Sequence, residues 1–484
     1  MRGIPLLFAA TILAAATPVA AQPNELTRLD GSSIKPVEVD ETATRLMKAA
    51  EVTGLGLAVF EQGKIAYLKA YGVRDKETGA PLTVDSVMSG ASFSKVAFAY
   101  MVMQLVDRGT LDLDRPVYLY LPKPLPDYPN YKDLANDPRY RQITARMLLS
   151  HTTGFPNWRQ LDEGGTLSIH FEPGSRYAYS GEGIVLLQLV VETITRKPLE
   201  ALMQERVFRP LGMTRTSMIW QERFESDYAN GYDASGRSLG PQKRTQANAA
   251  GSMLTTTSDF ARFVQAVMLG KGLGKKAWRD MFSPQVQIQS KHQFPTLASG
   301  TTDENKAIRL SYGLGWGLYW TPYGKTFFKE GHDDGWRNYT ACFDEKKTGI
   351  VLMTNSGNGE GIYKELLETV LKNTFTPIEW EGFTPYDRLP PRHKEVQVDP
   401  KLFDGYVGRY ELAPNIVITL TRDGDHLLGQ ATGQPKAELF PESARDFFFK
   451  VVDIQLTFEV DAQGRATGLI VHQGGANIPC RRID

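Results

Sequence analysis

Ser92-Phe93-Ser94-Lys95 sets a hydroxyl and an amine three residues apart at the head of an apolar run, Val96-Ala97-Phe98-Ala99-Tyr100-Met101-Val102-Met103-Gln104-Leu105-Val106. The run reads as a buried helix. Residues at i and i+3 share a helix face, so the Ser92 hydroxyl and the Lys95 amine can meet. A hydroxyl is a poor nucleophile until a neighbouring base takes its proton. Burial lowers an ammonium pKa, so a desolvated Lys95 can be that base. The helix N-terminus adds free N–H groups and partial positive charge, which favour an oxyanion at Ser92. Together these features describe acyl transfer; by itself the quartet also describes a capped helix with a solvated lysine.

Two further segments carry chemistry of a matching kind. In Pro173-Gly174-Ser175-Arg176-Tyr177-Ala178-Tyr179-Ser180-Gly181 a loop turns into a helix expected to begin near Ile184. A tyrosine at such a corner can face a cleft, and nearby lysines make its phenolate accessible as a general base; Tyr179 can equally be a packing residue. In Phe327-Phe328-Lys329-Glu330-Gly331-His332-Asp333-Asp334-Gly335-Trp336-Arg337, Lys329 can bind a substrate carboxylate or steady the tyrosine. Gly331 permits close approach to the backbone.

The elements that must position these groups follow from pattern. Val39 to Glu51 reads as an amphipathic helix, and Leu55–Phe60 with Ile65–Leu68 reads as a hairpin turning at Gln62-Gly63-Lys64. Sequence from Tyr118 to Tyr140, rich in Pro and Tyr, reads as an irregular surface excursion. Ser258-Asp259 is expected to cap a helix from Phe260 to Leu269. Strands Trp336–Phe343 and Ile350–Thr354 flank a turn at Glu345–Gly349, and a helix closes the region from about Tyr363 to Leu371. Thr376 to Pro400, with Pro377, Pro385, Pro390 and Pro391, reads as a linker. Beyond it, short alternating strands (Tyr406–Tyr410, Ile416–Leu420, Phe447–Phe449, Leu456–Val460, Gly468–His472) with Gly- and Asp-bearing turns describe a small all-β module.

Bulk properties narrow the function. The chain has 484 residues, 42% hydrophobic and 23% charged, with 55 basic residues against 55 acidic. Balanced charge gives no electrostatic case for nucleic acid or an anionic membrane as partner. Arg2, the apolar run Ile4 to Ala16 and the small residues ending Val19-Ala20-Ala21 have the layout of a secretory signal peptide cut after Ala21, too short for a comfortable membrane span. Location is therefore expected to be periplasmic or secreted, without a stable membrane anchor. Cys342 and Cys480 lie far apart and set no disulfide framework. With no zinc-site spacing, no His-Glu-x-x-His and no phosphate loop, neither a metal nor another cofactor is expected. The expected partner is a small-molecule or peptide substrate.

Taken in order and spacing, these segments resemble the penicillin-recognising serine hydrolases: class C β-lactamases, low-molecular-weight penicillin-binding proteins, D-amino-acid peptidases and related esterases. That pattern is Ser-x-x-Lys, then Tyr-x-Asn, then Lys-Thr-Gly or His-x-Gly. Ile143-Thr144 through Leu148-Leu149-Ser150-His151-Thr152-Thr153-Gly154, Ala249-Ala250-Gly251-Ser252-Met253 and Met353-Thr354-Asn355 extend the likeness, which runs from about residue 40 to 373. The resemblance implies an α+β fold of the β-lactamase/transpeptidase type, an antiparallel sheet flanked by helices with a helical subdomain, over 22–375. A linker (376–400) and a small all-β barrel-like domain (401–484), resembling one found on many exported members, would follow. It implies Ser92 as acylated nucleophile, Lys95 and Tyr179 managing its proton, and an oxyanion hole of the Ser92 and His332 backbone N–H groups. Lys329 and Gly331 would form the third motif. His332 would line the rim, and His151 would pack or hydrogen-bond.

Three points qualify that reading. Lys347-Thr348-Gly349 spells the third motif, yet it falls in a tight turn after the Trp336 strand, out of order, and is set aside. Gly181 stands where an asparagine is usual, and Glu330 puts a negative charge beside Lys329. Both changes count against an efficient β-lactamase and favour an esterase or a peptidase with its own substrate. A β-lactamase or D-Ala-type carboxypeptidase is the alternative, and a binder that acylates without turning over is a further one. A Ser-His-Asp hydrolase would need a Gly-x-Ser-x-Gly elbow, which Gly90-Ala91-Ser92-Phe93-Ser94 lacks at its last position.

Overall fold

Gln62 and Gly63 both take positive φ (50° and 76°), the left-handed pair that a two-residue hairpin turn needs. They join the antiparallel strands Gly54–Glu61 and Lys64–Gly72, with Glu61 opposite Lys64. This computed structural model describes residues 24–484, apart from 162, 389–394, 414–415, 435, 451–453 and 474–475. The proposed signal segment, Met1 to Ala21, lies outside the described residues.

The hairpin is one end of an eight-stranded antiparallel sheet. From that end the order is Lys64–Gly72, Gly54–Glu61, Thr348–Thr354, Trp336–Phe343, Gly324–Asp333, Gly317–Thr321, Ser311–Tyr312 and Val286–Gln287. Side chains alternate between two cores. Ala58, Phe60, Val351, Met353 and Phe327 face one, while Leu57, Val59, Ile350, Leu352 and Phe328 face the other. The first core takes the helices Phe93–Asp107, Gly181–Thr195 and Thr257–Met268; the second takes Pro36–Ala49 and the closing helix from Tyr363 to Leu371. Helices on both faces explain why strands such as Gly54–Glu61 and Thr348–Thr354 bury successive residues instead of alternating buried with exposed ones.

Several local expectations shift. The helix expected near Ile184 begins at Gly181, because Ser180 Oγ caps it by accepting from the Gly183 N–H at 3.0 Å. Thr256, not Ser258-Asp259, caps the helix Thr257–Met268, accepting from the Asp259 N–H at 3.1 Å. The Tyr118–Tyr140 stretch is a chain of short 3₁₀ turns as its prolines require, but Leu125, Tyr131, Leu134 and Tyr140 are buried in the first core. It is part of the packing, not a surface excursion.

The described chain divides into two units, the first ending at Arg388. Residues 376–388, placed in the linker by their prolines, belong to the first unit: Ile378, Trp380 and Phe383 are buried in its second core. The second unit is a closed eight-stranded barrel. Its strands are Gly408–Ala413, Ile416–Asp423, His426–Ala431, Ala437–Pro441, Asp446–Phe449, Gln455–Val460, Ala466–Gln473 and Ala476–Arg482, each antiparallel to its neighbours. Side chains such as Tyr410, Leu420, Phe447, Phe458 and Leu469 fill the interior. Tyr406, where a strand was expected to start, instead ends the short helix Leu402–Tyr406, and the strand begins at Gly408. Among the described residues no helix is long and apolar enough to cross a membrane.

The helix carrying Ser92 is seated by stacked rings: Phe93 and Phe260 lie 3.9 Å apart, centroid to centroid, and 3° from parallel. Phe260→Ala should cost about 3–5 kcal/mol of stability. This is measurable as a lower urea midpoint for the first unit, and Phe260→Leu should lose less.

Candidate active site

Ser92 is the N-cap of the buried helix Phe93–Asp107 and is only half-buried itself. The corner before it is tied down. The Gly90 N–H donates to Met253 O at 2.7 Å, and the Ser94 hydroxyl donates to Ala91 O at 2.6 Å. Ala91 takes φ +46°, a strained value for a residue with a Cβ, and surrounding hydrogen bonds hold it there. As the i, i+3 spacing predicts, Lys95 Nζ lies 3.1 Å from Ser92 Oγ and donates to Ala250 O at 2.6 Å. Lys95 is 1% exposed. Burial, and next the nearby Lys329 charge, push its ammonium well below the ordinary lysine pKa. The amine is thus disposed to be neutral, with a lone pair available beside the hydroxyl.

Tyr179 comes from the loop before Gly181–Thr195 and is 2% exposed. Its hydroxyl accepts from Lys329 Nζ at 3.1 Å and interacts with the Ser92 side chain. The two lysine nitrogens stand 4.9 Å (Lys95) and 4.8 Å (Lys329) from its ring centre. They do not make the phenolate accessible. Burial first, then the Glu330 charge, hold the Tyr179 hydroxyl well above its ordinary pKa. A neutral amine beside a protonated phenol carries as many protons as an ammonium beside a phenolate, and a dry site favours the uncharged arrangement.

His151 grips Tyr179 from behind. Its carbonyl accepts from the Ala178 N–H at 2.8 Å and its Nδ1 accepts from the Ser180 N–H at 3.2 Å, bracketing residue 179. The rings are 4.5 Å apart. Accepting at Nδ1 places the proton on Nε2, and burial keeps the imidazole pKa well below its usual value. His151 therefore packs and hydrogen-bonds, as its sequence context suggests.

Lys329 is fully buried in the strand Gly324–Asp333, behind Glu330, whose carboxylate it contacts directly in an ion pair. Along Gly324–Asp333 the neighbouring strand Gly317–Thr321 pairs only as far as Phe328, which leaves the backbone from Lys329 to Asp333 open on that side. Gly331 serves the chain more than a ligand: a Cβ there would stand 3.0 Å from Gly90 O and 3.1 Å from the Asn338 side chain. His332 lines the cavity mouth, its side chain 54% exposed and 3.5 Å from the Glu360 carboxylate. Lys347 sits in its turn at φ +50°, donating to Met268 O at 2.9 Å and Asp344 Oδ1 at 2.8 Å, away from the cavity.

Ser92, Lys95, Tyr179 and His332 line one cavity of about 670 Å³. Lys329, Gly331 and Gly181 stand behind its wall. At Gly181 a Cβ would meet the Trp158 ring at 2.6 Å, so the indole fills the place of a side chain at 181. Asn157, adjacent, accepts the Gly181 N–H through Oδ1 at 3.0 Å and lines the cavity. The Gln285–Thr301 segment supplies part of the wall through Gln293 and Phe294; Tyr118–Tyr140 supports the Trp158 segment, with Asn130 O accepting from Arg159 at 2.6 Å. Asn157, Trp158, Arg244, Glu360, Glu381 and Phe383 also line the cavity, and pattern reasoning missed them. Only Gly181 signalled that something else must occupy its space.

Residues 39–372 match the Beta-lactamase family model, and residues 392–479 match a domain of unknown function (DUF3471). Penicillin-binding protein 4* of Bacillus subtilis (strain 168) is 25% identical over 459 residues, covering 86% of this chain and 92% of that protein. Esterase EstB of Burkholderia gladioli is 29% identical over 231 residues, 42% of this chain and 57% of EstB. The solved structure of the octameric penicillin-binding protein homologue from Pyrococcus abyssi shares the fold, with TM-score 0.58 and 20% identity over 93% of this chain and 100% of that one. Because the family match spans well over half of its residues, the chain belongs to the β-lactamase family and is a serine hydrolase.

Proposed function

We propose that this chain is an exported serine acyl-hydrolase. It would work through an acyl-Ser92 intermediate on an ester or amide that brings no free carboxylate to Lys329. The observation that carries the reading is the Ser92–Lys95 contact of 3.1 Å inside a site dry enough to keep the amine neutral. Lys95 takes the Ser92 proton as Oγ attacks the acyl carbon, and the oxyanion rests on the N–H groups of Ser92 and His332. Tyr179, protonated and in contact with Lys329, passes a proton to the leaving group. Water then releases the acyl group by the reverse path. Export is supported by Arg2, the apolar run and the small residues before Ala21.

Substrate class follows from the paired charges. Glu330 already occupies Lys329, and Arg244 donates to Asp333 Oδ2 at 2.6 Å. A substrate carboxylate arriving at Lys329 would face Glu330, and like charges repel. Trp158 also fills the place of a side chain at 181 and presents an apolar ring to the substrate there. Both features favour esters and uncharged amides over penicillins and peptides ending in a carboxylate.

Mass spectrometry after exposure to an activated aryl ester should find the acyl group on the Ser92 peptide, with none on Ser92→Ala; an unmodified Ser92 in a turning-over enzyme would sink the mechanism. A burst of product without turnover would instead mark a binder that acylates and stalls. The acylation rate should rise with pH as the Lys95 ammonium loses its proton and level off below the ordinary lysine value of 10.5. Lys95→Arg, which stays charged, should abolish it. His151→Ala should slow acylation by about tenfold or more by freeing Tyr179. His151→Asn, whose Oδ1 can accept the Ser180 N–H and which tolerates the φ of +56°, should restore much of the rate.

A further inference from the structure

Behind one wall of the cavity lie buried oxygen atoms that, among the described residues, accept no hydrogen bond. Gln293, 2% exposed, donates through Nε2 to Glu330 Oε1 at 3.0 Å. A carboxylate oxygen only accepts, so this bond fixes which end of the amide is nitrogen and leaves Gln293 Oε1 without a hydrogen-bond partner among the described residues. Glu381, 4% exposed at the end of the short helix Ile378–Glu381, accepts from the Tyr339 hydroxyl at 3.0 Å through Oε2, and its Oε1 is also unpartnered. Glu330 receives both Lys329 and Gln293 on Oε1, and among the described residues no hydrogen bond reaches its Oε2. All three residues line the cavity that Ser92 opens into.

The wall is preorganised. The Gln293 N–H donates to Trp380 O at 2.8 Å, which fixes the Gln293 loop to the helix bearing Glu381. Its charge is also incomplete: Lys329 answers Glu330, whereas Glu381 has no ion-pair partner among the described residues. Burial and the Glu330 charge hold the Glu381 carboxyl well above the usual range, so it is disposed to keep its proton in the empty cavity. An arriving cation would release that proton to solvent and complete the balance of two carboxylates against two cations. Free acceptors on three side chains of one wall, with one charge to answer, match a primary ammonium, which offers three N–H donors and one positive charge. A carboxylate would be repelled here, and an apolar group would leave the oxygens unsatisfied.

We propose that Gln293, Glu330 and Glu381 form an ammonium subsite, and that the natural substrate of this hydrolase carries a primary amine. This rests on the reading of Ser92 as the nucleophile, and it names the substrate class for that site.

The test uses the mature protein with p-nitrophenyl acetate as a neutral reporter and hexylammonium against hexanol as competitors. Hexylammonium should inhibit competitively at a concentration at least about tenfold below that needed for hexanol, and Glu381→Gln should abolish the preference. Equal inhibition by the two in the wild-type protein would overturn the subsite. If Glu381→Gln fails to fold, Gln293→Met removes a second acceptor, and a full preference retained there would count against the wall. Labelling of Ser92 by a fluorophosphonate separates the two ideas. Labelling without ammonium preference overturns the subsite alone. Absence of labelling overturns the nucleophile, and calorimetric titration of hexylammonium then decides the subsite by binding.

Discussion

The structure turns on one amine kept out of water. Lys95 is enclosed by the first core, with the Ala250 carbonyl at one side and the Ser92 hydroxyl at the other. An ammonium there would forfeit hydration with no carboxylate in contact to replace it, so the neutral form is favoured. Every neighbouring feature supports that condition. The helix, buried from Phe93 to Leu105, excludes solvent, the Phe93–Phe260 stack seats its first turn, and the strained Ala91 precedes the half-buried Ser92 while Lys95 stays in. Tyr179 completes the enclosure, and His151 holds it by hydrogen bonds on both sides of the residue.

The second lysine is pushed the same way but is held back. Lys329 is as deeply buried as Lys95 and desolvation lowers its pKa too, but Glu330 is in contact with it, and that carboxylate opposes the effect of desolvation. Two buried amines in one site thereby feel different electrostatics because of a single neighbouring side chain. The same glutamate stands between Lys329 and the cavity that it lines, so the wall there presents a carboxylate and not an ammonium. The glycine at 181 belongs to a comparable exchange, with Trp158 moving into the space and Asn157 supplying an amide to the cavity.

Much of this was legible in one dimension. The i, i+3 spacing of Ser92 and Lys95 could only place the two side chains on one helix face, whatever surrounded it. The hairpin at Gln62-Gly63 and the late strands were legible from turn chemistry and apolar runs. What pattern reading missed were contacts among residues far apart in sequence. Thr256 displaced Ser258 as a cap because the exact point where a chain enters a helix depends on what it packs against. Ile378, Trp380 and Phe383 were hidden among prolines that suggested a linker, yet three large apolar side chains find a core to enter. Barrel strands such as His426–Ala431 and Ala476–Arg482 alternate weakly, and Pro479 within the last argues locally against a strand.

The sequence alone determined which groups are available: a hydroxyl, an amine three residues on, a tyrosine at a loop corner and a lysine on a late strand, in an order resembling one family. Protonation was not among the things it could determine. A pKa depends on the water and charges around a group, and those are set by chain segments hundreds of residues away. Only the tertiary structure buried Lys329 together with Glu330 and left Lys95 without a carboxylate in contact, and only it brought Gln293 and Glu381 to the same wall. Spacing along a helix is a local property fixed by 3.6 residues per turn. Desolvation is a property of the whole packed fold.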